Sequence, residues 1–538
     1  MQSKQWAGWL LAATLGLGGL GMATASVADA HSGHVDPRPA AASPGAARAA
    51  ARYGGGAGHN APKPIPVSGK DRVYTADQTS NTVSVIDPSA NRTLGTIALG
   101  DQRLGAGLSP QYTGDVDVHG LAFSPVTKRL AVVSITSNTV DIVDTATNKV
   151  VSHTDVGRAS HEGSFTADGK QFWVADRGRD TVTVVDAVHG GVLASIPVGA
   201  GPSKVVMSPD GKLAYVNHIS LAEVTVVKVA THRPVDHITG LGDAFSSDEA
   251  ISPDGKELWA VHKRVGKVSV IDLTHDKVTS VLTTGPDSNH PQFADTPQGK
   301  FVYLTVGGLD ETLSFRRTDS GVPDATTAPA TVIHDNGHAP HGIWPSGDGS
   351  RLYVGLEKSD KVDVIDTATN KVTDTIPIGQ EPQAVVYAPL AAPAGSAANL
   401  GSQGLDEQAR NVPTTLPDGT AGETLDPVKG RALEATVRPV NGLDMIQLQA
   451  RGLKPKTTYQ AFSAGADGRK AAVVSFSTDA NGNAPMVLAF SAFDGRSISL
   501  AVKNAGVAKA TSFQLDRMHS GSANGAVTAT DLLYCDCC

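Results

Sequence analysis

One short pattern recurs seven times between residues 70 and 390, and it constrains the fold more than any other feature of this chain. Each copy runs as an apolar strand, a Ser-Pro-Asp-Gly-Lys-like turn, a second strand, and a third strand ending in Ile-Asp or Val-Asp. Clear turns stand at 166–170, 208–212 and 252–256, and looser ones at 124–125, 296–300, 347–349 and 388–389. Stepping back from each turn to the start of the preceding strand gives His119, His161, Ser203, Ser247, Pro291, His341 and Gln383, spaced 42 to 50 residues apart. A period near 40 with several short strands per unit is the signature of a β-propeller with one blade per repeat.

The local chemistry agrees with that reading. Residues 205–207, 213–216 and 224–229 are β-branched runs of the kind buried between neighbouring blades. In the turns, Pro sets φ, Asp bonds locally and Gly accepts a positive φ. Residues 72–99 supply three strands without a first strand, and residues 383–388 supply a first strand alone. The two pieces together make one blade, with 73–76 beside 384–387, which closes the ring and removes open sheet edges.

The segment Ala214-Tyr215-Val216-Asn217, the Val-X-Val-Ile-Asp strands and the Ile-Pro-Ile-Gly endings resemble the bacterial YVTN-family β-propeller repeat. The resemblance spans residues 70–390 and implies the fold. Related propellers serve as surface scaffolds, lactonases and redox enzymes, so it implies no single activity.

Outside the repeats the chain divides by composition. Lys4, the apolar stretch 9–22 and Ala28-Asp29-Ala30 read as a secretory signal peptide over 1–30, which places the mature protein in a periplasm or outside the cell. Residues 31–69 read as a flexible lead and 391–423 as a linker, both rich in Ala, Gly and Pro. Residues 424–519 offer six short strand candidates and suggest a small β-sandwich, suited to docking a protein partner. Residues 520–538 read as a flexible tail. The fold class is therefore all-β, a seven-bladed propeller followed by a sandwich. A net charge of −8 gives no basic face for nucleic acid, and no later segment is long and apolar enough to span a membrane.

The three cysteines, Cys535, Cys537 and Cys538, all lie in the tail, so neither domain has an internal disulfide. They are secondary candidates for a soft metal such as Cu(I), for bonds to other chains, or for modification. His31 and His34 near the new N-terminus are a weaker chelating pair.

Histidine carries the functional signal. His119, His161 and His341 share one position in the repeat, His290 stands one residue off it, and His218 and His262 follow the second strand of blades lacking the first-strand histidine. With 17 histidines in 538 residues, six on one face of the ring exceeds chance, although a shared repeat ancestor also duplicates residues. These six are the metal candidates, and the metal they suit is a transition metal, copper first. The segment Gly337-His338-Ala339-Pro340-His341-Gly342-Ile343 resembles the Pro-His-Gly-Ile segment of the nitrous oxide reductase propeller, whose histidines hold copper; the resemblance reaches His341, with His338 as a secondary candidate. The second domain lacks a cupredoxin copper motif.

Glu162 and Arg177 near the same face are candidates to orient a small-molecule substrate, and Asp176-Arg177 and Lys263-Arg264 could meet an anion. The leading expectation is a copper-dependent oxidoreductase or copper-binding protein. The alternative is a non-catalytic propeller that binds a protein, glycan or cell-surface partner. A lactonase-like hydrolase is the third reading, with Glu162, Asn217, Asp248, Glu249 and Glu357 offered as carboxylate and amide ligands. Ser246 and Ser247 lack a nucleophile-elbow context.

Overall fold

The computed structural model describes residues 65–102, 114–318, 328–422, 432–440, 443–465, 468–491, 493 and 495–503. The expected signal peptide, nearly all of the lead, and the tail with Cys535, Cys537 and Cys538 lie outside them.

Seven antiparallel four-stranded sheets form the propeller, each read outward from the axis as strands a to d. Blade 1 takes its strand a from the far end of the repeats, Pro382–Ala388, and strands b to d from Arg72–Asp77, Thr82–Asp87 and Arg92–Ala98. The closing pair matches Val73 with Tyr387 and Tyr74 with Val386, the expected closure. The strands a of blades 2 to 7 begin at Val118, Ser160, Pro202, Asp248, Ser288 and Pro340.

The core explains why the repeat must be a ring. Seven hydrophobic clusters occur in this domain, one between each pair of neighbouring blades. Tyr74 and Ala76 pack towards blade 2, while Val73, the residue before Tyr74, packs towards blade 7. The period-2 alternation of strands b and c thus gives each blade two apolar faces, and neither is covered unless both neighbours are present. Trp173 and Trp259 are fully buried in two of these layers; truncating either to alanine should cost about 3–5 kcal/mol. The turns behave as their chemistry requires: Ser208 Oγ donates to Asp210 at 2.7 Å, and Gly211 takes φ +71°.

The second domain is a β-sandwich. One sheet orders Arg410–Asn411, Ala432–Val440, Leu443–Arg451 and Ala484–Ser491; the other orders Thr414–Thr415, Ser497–Val502, Thr458–Ala464 and Lys470–Ser477. Leu433, Val437, Ile446, Tyr459 and Ile498 fill the space between them. The stretch read as a linker is anchored at both ends. Thr96 and Gly401 bond backbone to backbone, Gln403 donates to the Ser80 carbonyl at 2.6 Å, and two short strands at 410–415 join the sandwich. Its Gly and Pro content gave no sign of these partners.

The sandwich rests on one face of the propeller. Arg438, fully buried, donates from Nε to Asp360 Oδ1 at 3.0 Å and from Nη2 to the Glu357 carbonyl. Gln447 donates to Glu381 at 3.0 Å, Gln449 donates to Asp287 at 2.9 Å, and Lys358 pairs with Glu434. Asp360 lies between strands b and c of blade 7, while Glu381 and Asp287 immediately precede strands a. Strands a begin and strands b end at the same face, so the sandwich covers part of the face on which the axial side chains converge.

Candidate metal centre at the propeller axis

A bulge at the start of strand a builds the site. Pairing with strand b slips by one residue between Val118 and Gly120, Ser160 and Gly163, Pro202 and Val205, Ser288 and Pro291, Pro340 and Ile343, and at the corresponding point of blade 1. A bulge re-aims side chains. Two consecutive residues per blade therefore occupy axial positions in place of the single one expected from strict alternation. The first positions, from blade 2 round to blade 1, are His119, His161, Ser203, Ser247, Asn289, His341 and Gln383. The second positions are Gly120, Glu162, Lys204, Asp248, His290, Gly342 and Ala384. This corrects the blade 6 anchor from Pro291 to Asn289. It also explains why His290 stood one residue off the pattern, because it is a second-position residue.

The second positions of blades 3 to 6 form a charged arc. Lys204 Nζ lies 2.8 Å from Glu162 Oε2 and 2.8 Å from Asp248 Oδ2. His290 closes the arc, 3.4 Å from Asp248 and 3.6 Å from Glu162. Blades 7, 1 and 2 carry Gly, Ala and Gly here. A Cβ on Gly342 would stand 2.5 Å from the Gln383 carbonyl oxygen, so the small residues let neighbouring backbones close in. The sequence reading passes over Lys204; comparing the residue after each anchor across the repeats would have found it.

The first-position histidines are held by the ring itself. His161 Nδ1 lies 3.0 Å from the Ser203 carbonyl, and His341 Nδ1 lies 2.9 Å from the Gln383 carbonyl, each on the next blade. A carbonyl only accepts, so Nδ1 carries the proton in both rings and Nε2 keeps a lone pair. Nε2 of His119 and of His161 has no hydrogen-bond partner, and neither does Glu162 Oε1. The His119 and His161 ring centroids are 4.4 Å apart, and those of His290 and His341 are 4.7 Å apart. Donor atoms of His119, His161 and Glu162 lie within 4.8 Å of one another, as do those of Glu162, Asp248 and His290. The second group already holds the Lys204 ammonium between its carboxylates, so the first is the one open to an ion.

Burial governs protonation. It pushes His119 and His161 well below the usual histidine range and takes His290 and His341 down to about 3, so all four are neutral at pH 7. Burial opposes ionisation of Glu162, but Lys204, His290 and His119 outweigh it and hold the carboxyl low. Asp248 goes the other way: burial and the neighbouring Glu162 charge exceed the help from Lys204, and it is raised. One ammonium serves two carboxylates, and only one of them ionises cheaply.

Two expected ligands are elsewhere. His218 Nε2 is 2.9 Å from Thr225 Oγ1, and His262 Nε2 is 2.7 Å from Ser269 Oγ. Asp77 and Asp176 end strand b in blades 1 and 3 and accept from Ser84 and Thr183 in the same way. The end of strand b therefore points across to strand c of its own blade, not to the axis. A hydroxyl seven residues downstream in all four blades marks this in the sequence. The six-histidine ring is thus corrected to four. His338 is corrected as well: it is half exposed and its Nδ1 is bonded to Asp310 at 2.9 Å. Glu162, expected to orient a substrate, offers a carboxylate oxygen to the His119–His161 cluster. Arg177 stands beside the histidines, donating to Ser203 Oγ at 2.6 Å. Asn217 positions Lys204, accepting from its backbone N–H at 2.8 Å, and its amide donates to Ser246. Arg264 stacks on Phe245.

Two small spaces adjoin the centre. The inner one is lined by His161, Ser247, Asp248, Lys263, Asn289, His290 and His341. The outer one shares Lys263 and Asn289 and is completed by Gln447, Gln449 and Met486 of the sandwich. Among the described residues no helix is long and apolar enough to cross a membrane.

Residues 47–285 match the model of the family described as lactonase, seven-bladed β-propeller. The match takes in His119, His161, Glu162, Lys204 and Asp248, and it ends before His290, His341 and the sandwich. No curated protein matches the chain. Many solved structures are similar to it, among them the following three. Hydrazine synthase of Kuenenia stuttgartiensis is 21% identical, with 54% of this chain and 94% of that one covered and a TM-score of 0.44. A functionally unknown protein from Desulfotomaculum acetoxidans is 13% identical, covering 59% and 98% with a TM-score of 0.49. The periplasmic gluconolactonase of Pseudomonas aeruginosa is 15% identical, covering 60% and 99% with a TM-score of 0.47. These matches support a propeller of lactonase type and leave the YVTN and nitrous oxide reductase resemblances unconfirmed.

Proposed function

We propose that the axial centre binds a divalent transition metal through His119, His161 and Glu162 and hydrolyses a lactone. The observation that carries this is the set of buried donor atoms without hydrogen bonds, His119 Nε2, His161 Nε2 and Glu162 Oε1, in a propeller similar to the lactonase family. Two imidazoles and a carboxylate are a common donor set for zinc and its neighbours. Tying Nδ1 to a carbonyl is how proteins orient such ligands.

A divalent ion bound there supplies a Lewis acid for the ester carbonyl. The chain supplies the proton transfers. His290, neutral and 3.4 Å from Asp248, takes a proton from the attacking water. Burial and the Glu162 charge raise the Asp248 carboxyl, which favours its protonated form, and its Oδ1 has no partner. It gives its proton to the ring oxygen as the acyl C–O bond breaks. The product is a hydroxy acid, and the proton on His290 returns to Asp248 across their contact. Two carboxyls with pKa values pushed apart, Glu162 and Asp248, are the pattern expected when one binds charge and the other delivers a proton.

The test is metal content and lactone hydrolysis of the full chain. E162Q and H161A are each expected to lose bound Zn²⁺ and to lower kcat/KM by about a thousandfold or more. Wild-type levels of both in either variant would overturn the reading. Neutral imidazoles also suit copper, so a copper-dependent oxidoreductase is the second reading. Copper as the metal in protein isolated from its native compartment, with no lactone turnover, would favour it. Absence of any metal and any turnover would favour a non-catalytic binding propeller, with the sandwich as a docking module.

A further inference from the structure

The axial cations do not balance. Lys204 is met by Glu162 and Asp248 at 2.8 Å each. Lys263 faces Glu357, whose carboxyl is opposed by burial but held low by Lys263 and His341. Arg177 has no such partner. It is 7% exposed, its Nη2 donates to the neutral Ser203 hydroxyl, and its Nε and Nη1 make no hydrogen bond. Among the described residues no carboxylate stands within ion-pair distance of it. A guanidinium cannot shed its proton, and burying one without a counter-charge is costly.

Ser203 joins this cation to the metal centre. Its carbonyl accepts from His161 Nδ1 and its hydroxyl accepts from Arg177, so guanidinium and imidazole stand side by side. A metal ion at His161 would add positive charge beside Arg177. Both charges call for an anion from outside the chain.

We propose that Arg177 is the carboxylate-binding subsite of the axial centre, so that the molecule it takes carries one free carboxylate besides the group placed on the histidines. This rests on the hydrolytic reading for what happens to the molecule, but not for its charge. One unpaired cation matches a singly charged carboxylate better than a phosphate dianion, which would need a second cation.

The test compares two lactones on the full-length protein without added metal, by calorimetric titration at pH 7: D-saccharic acid 1,4-lactone, which carries a carboxylate, and D-glucono-1,5-lactone, which does not. The wild type should bind the first at least about tenfold more tightly. R177M should lose that preference and leave the neutral lactone within about twofold. S203A, which frees the guanidinium without removing it, should weaken the preference less, and it keeps the test decisive if R177M does not fold. No binding of the carboxylate lactone by the wild type, equal binding of both lactones, or an unchanged preference in both variants would overturn the proposal. Turnover with Zn²⁺ separates the two ideas. A carboxylate preference lost in R177M without hydrolysis of either lactone keeps the anion subsite and removes the hydrolase. Hydrolysis without discrimination does the reverse.

Discussion

The histidines of blades 2, 3, 6 and 7 and those of blades 4 and 5 are all buried, yet the fold uses their rings in opposite ways. In His161 and His341 the outward nitrogen is tied to a backbone carbonyl of the next blade, and the other nitrogen is left for something else. In His218 and His262, Nε2 is taken by a hydroxyl of the same blade. Burial and a depressed pKa are common to both sets, so neither marks a site. What separates them is convergence: ring nitrogens of His119 and His161, whose Nε2 atoms are unpartnered, fall within 4.8 Å of a Glu162 oxygen, whereas the unpartnered Nδ1 of His218 falls in no such group among the described residues.

The largest expected effect sets one group against the other. H161A should weaken Zn²⁺ binding by at least about a hundredfold, while H262A should leave it within about twofold. Calorimetric titration of both variants measures this. Equal losses would place His262 in the site and erase the distinction.

The second test concerns the roof over the axial set. Arg438 is fully buried against Asp360 and the Glu357 carbonyl. R438A leaves Asp360 without its cation and should cost about 3–5 kcal/mol of the sandwich's hold on the propeller. Modification by diethyl pyrocarbonate should then speed up at His290 and His341, which line the inner space, and stay slow at His218 and His262. Peptide mapping of the modified protein reads the outcome; uniform reactivity would mean that the sandwich does not gate the centre.

Much of this was legible in the chain and part was not, for identifiable reasons. The period, the Pro-Asp-Gly turns and the split first blade led directly to seven blades and to the pairing of Val73 with Tyr387. His119, His161 and His341 stood out because they recur at one repeat position. The arc of Glu162, Lys204, Asp248 and His290 did not, because strict alternation sends the residue after an axial one away from the axis, and only the bulge brings it back. His218 and His262 misled because strand b ends at the correct face while its last side chain turns to strand c. The seating of the sandwich depends on Arg438 and its buried acids, and charged residues in a strand ordinarily read as solvent-facing.

The smallest effect is also the sharpest test of the structural set. His262 is pushed down to about 4, chiefly by burial. Below pH 6.5 the unfolded chain takes up a proton that the fold refuses, so stability falls with pH across the window from 6.5 to 4, by about 2 kcal/mol at pH 5 for this one group. Asp77, at the same strand-b position with Ser84 as its partner, is raised to about 7, again chiefly by burial. H262D should therefore fold, because the site already accepts either residue opposite a hydroxyl, and cost less than H262A, which leaves the Ser269 hydroxyl without its partner, a loss of about 1–3 kcal/mol. The sign of the pH dependence should also reverse. A carboxyl raised in the fold is stabilising below its unfolded pKa, and that contribution disappears as pH rises towards 7. Urea unfolding at pH 5 and pH 7 should show the wild type gaining stability over that interval relative to H262D. A parallel pH response in the two proteins would mean that residue 262 does not share the buried position Asp77 occupies.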